Sequence, residues 1–93
     1  MLKSKQIAAT ISVFGKVQGV GFRFYTNKKA KELNICGYVL NKSNGSVYIE
    51  AEGTKANLDS FIDWCKTGPQ WARVSKVEVQ HAPPFNSSIF SIK

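Results

Sequence analysis

The chain has 93 residues, 43% of them hydrophobic, and a formal net charge of +7. Residues 1–93 have room for one domain with a single core, and no apolar run approaches the ~20 residues of a membrane helix. Cys36 and Cys65 have no Cys or His at metal-ligand spacing, so no metal site and no cofactor are expected. With no export signal legible after Met1, free thiols and a cytoplasmic location are the expectation.

The first predicted element is a strand over about Ile7 to Phe14, with Ile7, Ala9, Ile11 and Val13 on one face. Gly15-Lys16-Val17-Gln18-Gly19-Val20-Gly21 follows, with three glycines that allow a tight turn and exposed N–H groups. A helix over about Phe22 to Leu33 comes next. Phe22, Thr26, Ala30 and Leu33 form its apolar stripe, Lys28 and Lys31 lie opposite, and Asn34 suits its C-terminal cap. Glycine-rich backbone running into a helix start is an anion site. Arg23 falls just inside that helix, where its planar fork suits two phosphate oxygens.

A second strand over about Cys36 to Lys42 leads to Asn44-Gly45, the signal of a type I′ hairpin turn, and a third runs over about Ser46 to Glu52. Thr54 or a near neighbour is placed to cap a helix over about Lys55 to Lys66, in which Leu58, Phe61, Ile62 and Cys65 follow the i, i+3, i+4, i+7 template. Gly68-Pro69 ends it, a fourth strand spans about Arg73 to Gln80, and Ile89 to Ile92 offers a short fifth. The order β-α-β-β-α-β defines an α+β, ferredoxin-like sandwich: an antiparallel sheet with both helices on one face. In that topology the first two strands run parallel with the third between them. The glycine loop and Asn41 then share one edge, roughly 10 Å apart by two strand spacings.

Val13-Phe14-Gly15-Lys16-Val17-Gln18-Gly19-Val20-Gly21-Phe22-Arg23, and then Gly37-Tyr38-Val39-Leu40-Asn41 followed by Gly45, Val47 and Gly53, resemble the two motifs of the acylphosphatase family at matching spacing. Leu40 departs from the usual basic or polar residue, and alternation turns it away from the face that carries Asn41. The resemblance implies hydrolysis of acyl phosphates, the mixed anhydrides of a carboxylic acid and phosphate, without metal or covalent intermediate. It assigns phosphate binding to Arg23 and orientation of the attacking water to Asn41. Gly15, Lys16, Val17, Gln18, Gly19 and Val20 form the phosphate loop in this reading, with Gln18 bracing it. A small acyl phosphate is the expected partner, inorganic phosphate or sulfate the competing anion, and a monomer the expected state. The resemblance covers nearly the whole chain but leaves the acyl group open, because nothing in the sequence marks a pocket for it.

The chemistry independently suits so small a site. A carboxylate leaving group, with a conjugate-acid pKa of about 4, departs without a general acid. Loose phosphoryl transfer asks mainly for positioning and charge stabilisation. The remaining candidates have plainer roles. His81 lies far in sequence from both motifs and reads as a surface or structural histidine. Asp59 with Asp63, and Glu50 with Glu52, read as solvated faces; Trp64 and Trp71 could stack on a ligand but read rather as packing at the end of the second helix. Two other function classes share this strand order. An RNA-binding module needs stacking aromatics on its central strands, and the third strand offers Tyr48 alone beside two acids, so neither nucleic acid nor membrane is expected as a partner. A silent anion-sensing domain would need the same loop as an enzyme.

Overall fold

The computed structural model describes residues 5–93. Its elements are β1 (Ile7–Lys16), α1 (Phe22–Glu32), β2 (Cys36–Asn41), β3 (Val47–Gly53), α2 (Lys55–Cys65), β4 (Arg73–Ala82) and β5 (Phe90–Ile92). The five strands form one sheet in the order β4-β1-β3-β2-β5. β3 is antiparallel to both β1 and β2, and β4 is antiparallel to β1. This is the ferredoxin-like arrangement, with one addition: β5 pairs parallel to β2, making the sheet mixed.

Period-two alternation turns Ala9, Ile11 and Val13 of β1, Val39 of β2 and Val47, Ile49 and Ala51 of β3 toward the helices, all fully buried. Phe22, Thr26 and Ala30 of α1 and Leu58, Phe61 and Cys65 of α2 close over them. α1 packs on β2 and β5, α2 on β1 and β3. Phe90 of β5 seats its ring against Phe61, 6.0 Å between centroids. Each such aliphatic or aromatic side chain contributes about 1.5–3 kcal/mol on burial. The Thr26 hydroxyl, buried in this apolar setting, donates to the Phe22 carbonyl at 2.7 Å. Thr54 caps α2 by accepting from the Asn57 N–H, and Asn34 takes a left-handed φ of 54° just after α1.

Three local expectations need correction. The β2–β3 connection is not a type I′ turn, because Gly45 has a φ of 91° and Asn44 is not left-handed. Lys42 N–H bonds the Ser46 carbonyl and Gly45 N–H the Lys42 carbonyl, the pattern of a three-residue loop in which one left-handed residue suffices. Asn44 instead uses its Oδ1 to accept from the Ser46 N–H and hydroxyl. Glu52 is not solvated but 4% exposed. The chain must cross from β4 at one edge to β5 at the other, and the crossing segment covers that end of β3. There the Glu52 carboxylate accepts the N–H groups of Asn86 and Ser87 at 3.3 and 3.0 Å. Trp71 does not pack. It is 70% exposed, whereas Trp64 lies against Phe22 with 5.7 Å between ring centroids.

Candidate functional site

β1 and β2 end at the same edge of the sheet because both run opposite to β3. The β1–β4 ladder shifts register between Phe14 and Gly15, then continues with Gly15 opposite Val74 and Lys16 opposite Arg73. Gly15 has a φ of 125°, and a Cβ there would collide with the Arg73 carbonyl oxygen. Only glycine lets the bulged chain stay this close to the β4 backbone. Val17 then drops its side chain into the core, 1% exposed, so the loop is anchored from beneath. Gly19 has a φ of 74° and open space around it; it is required by torsion rather than by crowding.

Gly21 is the N-cap of α1. It supplies no side-chain hydrogen bond, and the first turn contains no acid. The first helical bond runs from Tyr25 N–H to the Gly21 carbonyl. Among the described residues, the backbone N–H groups from Gln18 to Phe24 have no acceptor. A helix start ordinarily satisfies such donors with a capping side chain; this one leaves them without a protein acceptor among the described residues. Arg23 stands in this turn, half-buried, with Nη1 donating to the Lys93 carbonyl at 3.1 Å. The residue just after β5 thus helps aim the guanidinium. Sequence reasoning had no means of finding this contact, because a backbone carbonyl carries no residue signature.

Asn41 closes β2, paired with Val47. Its Oδ1 is buried and has no hydrogen-bond partner among the described residues. Asn27 Oδ1, one turn after Arg23 on α1, is in the same condition. A buried carbonyl-type oxygen without a donor is uncommon and marks a place for water or ligand. Leu40 faces the opposite side of the sheet from Asn41 by strand alternation.

Gln18 joins the two halves. Its Nε2 donates to the Lys42 carbonyl at 2.8 Å and to the Ser46 carbonyl at 2.9 Å. The loop is therefore tied directly to the residue after Asn41. The Gln18 side chain is committed to this tie, which leaves its backbone N–H as the group able to meet an anion. Lys16 is exposed at the end of β1, and Lys42 lays its ammonium over the Tyr48 ring at 5.1 Å. His81 is exposed on β4. No group of three or more His, Cys, Asp or Glu stands together among the described residues, and Cys36 and Cys65 are free thiols. No described helix is long and apolar enough to cross a membrane.

The structure defines a small α+β, ferredoxin-like domain with an uncapped helix start and an arginine at one sheet edge, and comparison with known proteins gives that class a family. The acylphosphatase family model matches residues 9–92. An acylphosphatase of Archaeoglobus fulgidus is 48% identical over 86 residues, covering 92% of this chain and 97% of its own length. One from Mannheimia succiniciproducens is 56% identical over 66 residues, 71% of this chain and 73% of its own length. The crystal structure of acylphosphatase from Bacillus subtilis superposes with a TM-score of 0.91 at 34% identity, covering 94% of this chain and 98% of that one. The chain belongs to the acylphosphatase family, and the activity that goes with it is acyl phosphate hydrolysis.

Proposed function

We propose that the loop of residues 15–21 and Arg23 bind the phosphate of an acyl phosphate, and that Asn41 holds the attacking water. One observation carries the reading. A run of N–H donors without acceptors and a buried Asn41 acceptor without a donor stand at the same sheet edge, tied together by Gln18. A phosphate satisfies the first group, and a water O–H satisfies the second. Loop N–H groups and the guanidinium stabilise charge on the equatorial oxygens. Asn41 Oδ1 accepts one water proton and so aims an oxygen lone pair at phosphorus, and an amide does this without titrating.

The water oxygen–phosphorus bond forms as the bond from phosphorus to the acyl oxygen breaks. The electron pair leaves with the carboxylate. A water proton ends on the phosphate, so dianionic acyl phosphate and water give a carboxylate and monoanionic phosphate. No metal is needed in this route, since Arg23 carries the compensating charge and the leaving group is already a stable anion. The working unit in this reading is the single domain, acting as a cytoplasmic monomer.

The test is acetyl phosphate hydrolysis with EDTA present, alongside calorimetric titration with inorganic phosphate. Arg23→Ala is expected to lose both turnover and phosphate binding. Asn41→Ala is expected to lose about 100- to 1,000-fold in kcat while phosphate affinity is unchanged. Near-normal turnover by either variant overturns the assignment, as does loss of phosphate binding in Asn41→Ala with Arg23 intact.

A further inference from the structure

A groove of about 300 Å³ runs along the outer side of α1, its lining including Tyr25, Lys28, Lys29, Glu32, Trp64 and Trp71. Its Tyr25 wall adjoins the loop of residues 15–21, none of which lines the groove itself. The Tyr25 ring stands where a Cβ on Gly21 would touch it at 3.4 Å, and the turn after α2 is so close to Phe22 that a Cβ on Gly68 would meet that ring at 2.5 Å. This turn is itself fixed. Gly68 N–H bonds the Trp64 carbonyl at 2.8 Å and Ala72 N–H the Pro69 carbonyl at 3.0 Å. The Trp71 side chain is thereby held out on a rigid turn at 70% exposure, beside Tyr25 at 43% and Phe24 at 60%. Phe24 braces Tyr25 edge to face, 5.1 Å between centroids. Exposed aromatics gathered at one place on a small domain mark a binding surface.

Charge narrows the occupant. Lys29 is paired with Glu32 at 3.1 Å, while Lys28 has no carboxylate partner among the described residues. The groove therefore disfavours cationic groups. Its walls are flat rings, and its volume lies at the small end of ligand pockets.

We propose that this groove receives the acyl half of the substrate and that it favours a flat aromatic acyl group, uncharged or anionic. This rests on the acyl phosphate reading above. The ring of such a group stacks on Trp71 and Tyr25 while the phosphate sits in the loop. Acetyl phosphate carries no ring to stack on Trp71 and serves as the internal reference.

The experiment compares benzoyl phosphate with acetyl phosphate in wild type, Trp71→Ala and Trp71→Phe. The expected result is a fall of about tenfold in the benzoyl-to-acetyl ratio of kcat/KM in Trp71→Ala, carried by KM, with most of it restored in Trp71→Phe, as ring stacking would give. A ratio unmoved by Trp71→Ala, in an enzyme that hydrolyses both compounds, overturns the groove assignment and leaves the proposed function standing. A wild-type protein that hydrolyses neither overturns both.

Discussion

On the outer face of the sheet, Glu50 Oε2 accepts two phenols at once, Tyr38 at 2.8 Å and Tyr48 at 3.2 Å. Burial, and after it the bond to Glu50, pushes the Tyr38 pKa up from 10.0 to about 12. Tyr48 moves the same way, by burial and then by the Glu50 charge. The folded state thus favours the protonated phenol. Its contribution to stability is whole below the ordinary phenol pKa of about 10 and is lost as pH rises through about 12. Urea unfolding across that window is expected to show a decline that Tyr38→Phe reduces, and phenolate absorbance is expected to lose its highest-pH component in the same variant. An unchanged alkaline titration in Tyr38→Phe would refute the assignment. Burial likewise raises the Cys65 thiol well above its usual range, so this cysteine is a core side chain and a poor nucleophile.

At the scale of elements, the tie from Gln18 to the β2–β3 turn decides whether loop and Asn41 move as one body. Gln18→Leu removes both donated hydrogen bonds, each worth about 0.5–1.5 kcal/mol net, and lets the two halves drift. Because a misplacement of about 1 Å can cost 100-fold in rate, kcat for acetyl phosphate is expected to fall by roughly 10- to 100-fold, beyond what the modest loss in urea stability explains. A variant that loses stability but keeps kcat would reduce Gln18 to a structural brace. Most elements were legible from periodicity, because Ile11, Val13, Leu58 and Phe61 sit where alternation and helical spacing put them. What escaped was set by partners distant in the chain. Glu52 reads as solvated until the crossing segment over it is known. Asn44 and Gly45 both tolerate positive φ, so composition alone did not choose the turn. Trp71 looked like a packing residue because nothing local says that its turn faces outward. The motifs let the arginine, the asparagine and the glycine loop be proposed as a set; the tie between loop and β2–β3 turn, from a side-chain amide to two backbone carbonyls, had only Gln18 as a hint.

The molecule as a whole carries a formal charge of +7, which raises the local concentration of a doubly charged substrate. Salt shortens the reach of that field, from a screening length of about 30 Å at 0.01 M to about 3 Å at 1 M. KM for acetyl phosphate is expected to rise several-fold over that range of sodium chloride, while urea stability changes little; a KM independent of salt would confine the electrostatics to Arg23 and the loop. The fold's reach across its own length has a further consequence. The carbonyl that steadies Arg23 belongs to a residue 70 positions later. A chain emerging from the ribosome exposes its cation early and meets the oxygen that steadies it only when synthesis has reached β5. In the proposed site, half-made copies therefore lack the contact that aims the phosphate-binding arginine, and it forms only once the residue after β5 is in place.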